Sequence, residues 1–341
     1  MAEPCTSCDK PGSTCCSKCQ DCPTAADFNR TTSTWYCGEE CRREDAEMHK
    51  EECKAAYQRR MLQMISRAAY KVMLEYRKLT FDNPITGAIE EGETAYIIMS
   101  SEIKQTEEYG LQYSLPAEFD DLSEEWQDTI LLWRMCIVSA VMLAPLLKCI
   151  TRGLVVSEDS ILVHSLDVKD VGRHILVKYD GEPDADEWAH KVVEVRLESE
   201  EHFMLDITGS QFGWQELVVP VERYLADRVQ EGPREVDSIS DFCDALFAKI
   251  SNDKFFIRLR RYYQKLERLT RNPSLYQPSP IRGPESRDDT AVEVWLDDVV
   301  ADYVRRMQRV VESCDAEYAE QLRDVEIEEI TTKTKSLGVS Q

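Results

Sequence analysis

Positive charge is what this chain most lacks. It carries 64 acidic against 41 basic residues, a formal net charge of -23 over 341 residues. A surface that acidic repels phosphate backbones and anionic lipid headgroups, which argues against nucleic-acid and membrane partners. Long apolar runs are missing as well. The most apolar stretch, Cys136 to Leu147, falls short of the roughly 20 residues a membrane helix needs and is preceded by Arg134. Met1 to Lys10 has no apolar core of the kind a secretory signal requires. No Lys/Arg cluster is dense enough to read as a nuclear import signal. Glycine is scarce, at 13 residues, and no glycine-rich phosphate loop or internal repeat occurs.

Cysteine is what the chain has in quantity, and it is concentrated. Nine of the 13 cysteines, with one of the five histidines, lie between Cys5 and Cys53. The order is Cys5-x2-Cys8, Cys16-x2-Cys19, an insert, Cys37-x3-Cys41 and His49-x3-Cys53. Four close pairs of soft ligands are what two tetrahedral zinc ions require. A C-x2-C pair supplies two ligands from one turn, and an i, i+4 pair supplies two from one face of a helix. Charged, helix-favouring residues fill Gly38 to Glu52, so Cys37, Cys41, His49 and Cys53 are expected on short helices. Fewer than sixty residues cannot bury much apolar surface, so folding and metal binding should be coupled here. Cys19-x2-Cys22 is a second C-x2-C, which leaves the register open. A disulfide framework would also use clustered cysteines, but the spacing suits metal and the thiol count suits a reducing compartment, cytoplasm or nucleus.

The wording around these ligands resembles the MYND-type zinc finger: Cys16-Ser17-Lys18-Cys19, Trp35-Tyr36-Cys37, Glu40-Cys41, Asp45 and His49-Lys50-x2-Cys53. The resemblance extends to MYND finger-containing proteins of fungi, some of which carry an insert like the one between Cys19 and Cys37. It implies a cross-brace in which Cys5, Cys8, Cys37 and Cys41 hold one zinc while Cys16, Cys19, His49 and Cys53 hold the other. Cys15 and Cys22 are then spare thiols. It further implies a protein partner, bound through an extended or proline-containing segment. The family's Gln and Trp for that task are replaced here by Arg42 and Ala46, which removes the aromatic wall for a proline ring.

Behind the finger the chain reads as an α+β domain with an antiparallel sheet and long helices. The expected division is a finger at 1–56, an α+β domain at 57–270, a proline-rich linker at 271–290, a C-terminal helix at 291–330 and a tail at 331–341. Tyr57, Met61, Met64, Ile65, Ala68 and Val72 recur at helical steps over Lys54 to Tyr76. Arg59, Arg60, Arg67, Lys71, Arg77 and Lys78 are expected on the wet side of that helix, which Asn83-Pro84 ends. Ser123-Glu124-Glu125 opens a helix expected to run through Trp126, Ile130, Trp133, Ile137 and Val141 towards Cys149, with a kink at Pro145. Tyr96 to Met99, Ile161 to Val163 and Ile175 to Val177 suit strands. Val193, Val195 and Leu197 alternate with polar residues, and Phe203, Leu205 and Ile207 recur at the same two-residue step, which predicts an antiparallel hairpin turning at Glu198 to Glu201. Helices resume at Ser238 and over Phe255 to Leu269. Trp295, Val299, Tyr303, Met307, Val310, Cys314 and Tyr318 mark a final helix with a core-facing stripe.

Trp188-Ala189-His190-Lys191-Val192-Val193-Glu194-Val195 and Phe203 to Gly213 also resemble, more distantly, the His and Asp strands of transglutaminase-like and papain-like cysteine enzymes. The resemblance implies Cys136 as thiolate, His190 as base and Asp206 fixing the imidazole tautomer. Against it, Cys136 is expected inside the helix begun at Ser123, where it gains little from the helix dipole. His190 reads equally as a half-exposed strand residue, and Asp206 as the start of the turn to Gly209. No Asn-His-x-Cys-like cofactor motif of a SET methyltransferase follows the finger. These residues favour a zinc-binding adaptor, with a cysteine-dependent acyl-transfer enzyme, or its inactive relic, as the rival.

Overall fold

The chain's longest element is a single helix that runs out of the finger and into the body. In the computed structural model, which describes residues 3–81, 85–99, 115, 117–179, 182–184, 189–232, 234–249, 254–271 and 292–314, α1 spans Glu39–Leu79. Glu39 and Glu40 in its first turn and Arg77 and Lys78 in its last complement the helix dipole. At about 1.5 Å per residue the helix is about 60 Å long. Its first turns carry zinc-type ligands, and its later turns bury Tyr57, Met61, Ile65, Ala68 and Val72. The two short ligand-bearing helices and the helix expected after them are therefore one element.

The finger itself contains four two-residue strands, β1 (Thr14–Cys15), β2 (Cys22–Pro23), β3 (Thr31–Thr32) and β4 (Trp35–Tyr36). β1 pairs with β4 and β2 with β3, both antiparallel. The insert between Cys19 and Cys37 is what docks the finger. Phe28, 5% exposed, joins the main core and meets Phe203 edge-on at 4.9 Å. Gln63 Nε2 donates to the Phe28 carbonyl, and Asn29 Nδ2 donates to Glu216.

The basic run on α1 departs from expectation. Arg67, Lys71 and Lys78 are exposed and Arg60 is half-buried, but Arg59 and Arg77 are each 1% exposed. Each buried guanidinium has acceptors that offset its desolvation. Arg59 donates to the Pro23 carbonyl at 2.8 Å and to Glu201 and Glu52 at 2.7 Å each. Arg77 donates to the carbonyls of Leu131 and Thr80 and lies over the Phe81 ring.

Next in the chain come β5 (Ile85–Glu91) and β6 (Thr94–Met99), then two helices where one was expected: α2 (Glu124–Leu132) and α3 (Cys136–Ile150). They meet at 89°. Trp133 is extended (ψ 129) and Arg134 left-handed (φ 58), so the backbone cannot continue as a helix. The sharp turn is thus at 133–135 and not at Pro145, which lies inside α3. No single helix among the described residues is long and apolar enough to cross a membrane.

The remaining strands are β7 (Ile161–Leu166), β8 (His174–Tyr179), β9 (Glu182–Asp184), β10 (His190–Arg196), β11 (His202–Leu205), β12 (Val218–Pro220) and β13 (Glu235–Ser238). One sheet, in the order β12-β11-β10-β7-β13, is antiparallel throughout. Its β10–β11 pair is the expected hairpin, with Val193 opposite Leu205 and Val195 opposite Phe203. A smaller sheet runs β5-β6-β8-β9, with β6 and β8 parallel.

Both faces of the larger sheet are covered. Val163, Val193, Val195, Phe203 and Leu205 share the main core with α1, α3, α5 (Ile239–Lys249), α6 (Lys254–Thr270) and α7 (292–314). The core stripe of α7 includes Val299, Tyr303, Met307, Val310 and Cys314, and the Tyr303 hydroxyl donates to the Met142 carbonyl. Each such aliphatic side chain contributes about 1.5–3 kcal/mol by burial. On the opposite face Leu166, Val192, Met204 and Val219 pack with Tyr224 of α4 (Val221–Arg228). Of the polar positions in the β10 alternation, Glu194 is therefore buried too, while Arg196 at the strand's end is exposed. Glu194 bonds His164 Nε2 at 2.6 Å and Arg196 Nε at 2.7 Å. The linker at 271–290 beyond Arg271, the tail at 331–341, Tyr318, Trp188 and Asn83-Pro84 lie outside the described residues.

Two stability experiments follow from these buried charges. Arg59→Ala leaves the Pro23 carbonyl and the Glu201 and Glu52 carboxylates without this donor and should lower stability by about 3 kcal/mol, read from the urea midpoint. Burial alone would raise the Glu194 carboxyl, but its bonds to His164 and Arg196 bring it down to about 2 from 4.5. Its contribution is thus complete above about pH 4.5 and is lost as pH falls towards 2. Glu194→Gln should flatten the melting-temperature curve across that window and leave its shape at neutral pH unchanged.

Candidate metal centres and a cysteine–histidine–aspartate site

Two groups of ligand atoms converge in the finger: Cys5, Cys8, Cys37 and Cys41, and Cys16, Cys19, His49 and Cys53. Within each group all four atoms lie within 4.8 Å of one another. The Cys8–Cys37 and Cys37–Cys41 sulfurs are 3.5 Å apart, Cys16–Cys53 3.7 Å, and Cys19 Sγ is 3.3 Å from His49 Nε2. A tetrahedron with metal–sulfur bonds of about 2.3 Å has edges of about 3.8 Å, so the donors stand where one ion would hold them. Disulfide bonds of about 2.05 Å are excluded at these separations, and none of the 13 cysteines forms one. Each group fits one metal ion, and the ligands interleave along the chain.

α1 explains the second half of both sets. Cys41 lies in its first turn, and His49 and Cys53 share one face two to three turns further on, whereas Cys37, expected on a helix, sits just before the N-cap Gly38. Tyr36 donates its hydroxyl to Asp45 at 2.8 Å and sets its ring edge against His49, bracing that helix against β4. Of the two possible registers, the structure gathers Cys16 and Cys19. Cys22 is fully buried and points to the Lys18 carbonyl, and Cys15 belongs to neither group. Arg42 and Ala46 are both exposed on α1, and Arg42 pairs with Glu39.

The second constellation assembles from three distant parts of the chain. Cys136 is not inside a helix, as expected from sequence, but is the first residue of α3. The left-handed Arg134 re-aims the chain, and Gln211 holds the turn by accepting from the Arg134 N–H and donating to the Thr208 carbonyl. A helix N-terminus favours a thiolate through its free N–H groups and dipole. His190 begins β10 and is 1% exposed, not half-exposed. Its Nε2 lies 3.0 Å from Oδ1 of Asp206, the residue just past β11 on the same sheet face. Cys136 Sγ lies 4.0 Å from the Ala189 carbonyl, beside His190. His190 Nδ1 makes no hydrogen bond of ordinary length. Phe212 and Trp214 flank the imidazole at 4.9 and 6.4 Å.

The electrostatics of the three groups agree. Burial alone would raise the Cys136 thiol, but the nearby His190 imidazole, with the Lys191 and Ile137 backbone groups, holds it below its ordinary value. Burial alone would lower His190; the Asp206 charge and the Cys136 thiol lift it to about 10. Burial would raise Asp206, and His190, Tyr224 and Arg228 hold it down. The three shifts run in the same direction, each group favouring the charged form of its neighbour. Tyr224, Gln211 and Arg134 have no sequence signal of a role here; only the fold brings them to the site.

No family model, curated protein or solved structure matches the chain. The geometry therefore stands on its own.

Metal analysis checks the ligand sets. The intact protein should release two zinc ions per chain on thiol modification, Cys5→Ser and Cys16→Ser one each, and Cys15→Ser and Cys22→Ala still two. Loss of an ion in Cys22→Ala would put Cys22 among the ligands.

Proposed function

We propose that the chain is a zinc-binding protein whose body is a cysteine-dependent acyl-transfer enzyme of the transglutaminase-like or papain-like type, with a MYND-type finger as a fixed part of it. The observation that carries the enzyme reading is Cys136 at the start of α3 beside a buried His190–Asp206 pair. Helix N-terminus, imidazole and carboxylate are the three parts a thiol nucleophile needs. The closed four-ligand sets suit zinc as a structural ion, since no position in either set is left for a water or substrate.

In this reaction Cys136 thiolate attacks the carbonyl carbon of an amide or ester, and the carbonyl electron pair moves to oxygen. Collapse of that adduct expels the leaving amine or alcohol, which takes the proton of the His190 imidazolium, and leaves an acyl-thioester on Cys136. His190, now neutral, takes a proton from the incoming water or amine as it attacks the thioester. The second collapse restores Cys136 thiolate and His190 imidazolium. Asp206 remains ionised and keeps a proton on Nε2, so that Nδ1 is the nitrogen that works.

The finger supports a second, compatible reading as an adaptor surface. Its support is the family resemblance, and Arg42, Ala46 and Met48 stand exposed on the finger's stretch of α1. An extended or proline-containing segment is the partner the family resemblance favours, in a reducing compartment such as the cytoplasm or nucleus.

Alkylation of Cys136, followed by mass spectrometry across pH in the zinc-loaded protein, separates the two. An enzyme should label rapidly at about pH 6, well below the ordinary thiol range near 8.5, and His190→Ala should abolish that limb. Slow labelling in both proteins would leave the adaptor reading alone.

A further inference from the structure

Asp206 does not face His190 by itself. Its carboxylate is almost fully buried, and its second oxygen, Oδ2, accepts the Tyr224 hydroxyl at 2.7 Å. The same oxygen is walled by Gly209, where an added Cβ would come within 2.9 Å of it. A buried carboxylate with one oxygen unbonded would lower its energy by turning that oxygen to another donor or by taking a proton. Either event would release the Nε2 proton of His190 from its acceptor.

Tyr224 is held as firmly as the group it holds. It is 0% exposed, and the Arg228 guanidinium lies 5.2 Å over its ring. Arg228 also lies over Trp214 and is tied to Glu216 at 2.7 Å. Trp214 meets Tyr224 edge-on at 6.0 Å and His190 at 6.4 Å, closing the ring of contacts around the site. Burial and the neighbouring Asp206 raise the phenol well above its ordinary value, so it stays a donor at every working pH.

We propose that Tyr224 is a positioning residue of the thiol site, acting through Asp206: its hydroxyl occupies Oδ2 so that Oδ1 stays ionised and aimed at His190 Nε2. The role rests on the acyl-transfer reading, deepens it, and adds to the three residues the sequence suggested. Tyr224 touches neither the thiol nor the working nitrogen of the imidazole, so its effect must appear in the state of His190 and in the pH response of Cys136.

The test compares wild type, Tyr224→Phe and Asp206→Asn as full-length, zinc-loaded proteins, with folding checked by circular dichroism. Two signals are read: the pH profile of Cys136 alkylation and the Nε2–H resonance of His190 in 15N-histidine-labelled protein. Tyr224→Phe should slow labelling at about pH 6 by roughly tenfold, the size of one hydrogen bond to a charged group, and shift the acid limb upward because Asp206 protonates more easily. Its Nε2–H resonance should weaken, and Asp206→Asn should lose both signals. A Tyr224→Phe protein matching wild type in both would overturn the proposal. If wild-type Cys136 itself labels slowly throughout, the acyl-transfer reading fails; the Nε2–H resonance alone then decides, an unchanged one overturning the role of Tyr224 and a weakened one sustaining it. Should Tyr224→Phe unfold, 3-fluorotyrosine incorporation replaces it, since a more acidic phenol should move the acid limb down. An unmoved limb there overturns the proposal.

Discussion

A guanidinium can be taken out of water only if acceptors meet it from several directions. Arg59 meets that condition with one acceptor from the finger, one from its own helix and one from the β10–β11 turn. Three parts of the chain must therefore be in place together. Phe28 adds the apolar half of the same junction by entering the body's core against Phe203. Gln58, which accepts from the Ser199 N–H, and Lys54, paired with Glu198, continue it along α1. The finger is thus a fixed part of the body, and metal binding and body folding share a helix.

The hairpin that Arg59 secures is also the one that presents His190 and Asp206. Its turn residues, Glu198 to Glu201, face the finger, and its other end faces the thiol. From Asp206 a further run of contacts passes through Tyr224 and Arg228 to Glu216, which Asn29 of the finger insert also contacts. The thiol site sits in a frame braced from both sides, which suits chemistry that depends on where hydrogens are held.

Much of this was legible in sequence because it depends on local spacing. Ligand pairs at x2 and x3 intervals mark turns and helix faces whatever the rest of the chain does, and the structure gathers those same eight residues. Period-two alternation pointed to the hairpin and its turn, and the structure supplies the register, Val193 opposite Leu205 and Val195 opposite Phe203. The break at Trp133 to Met135 was not legible. Trp-Arg-Met carries no glycine or proline to mark a turn, and Arg134 adopts its left-handed backbone because Gln211, far along the chain, holds its N–H. Arg59 and Arg77 misled for a related reason: arginine is normally solvated, and nothing local announces that acceptors will arrive from elsewhere.

By itself, then, the sequence determined the close ligand pairs, the strand faces and the apolar helices, all of which follow from intervals of a few residues, while the family resemblance implied, and the fold shows, which pairs come together. Tertiary structure alone decided that Cys136 would head a helix and not lie inside one, buried beside His190. Activation of a thiol depends on the distances and burial of charges from separate strands. Those distances exist only once the sheet has brought His190, Asp206 and Tyr224 to one end of α3.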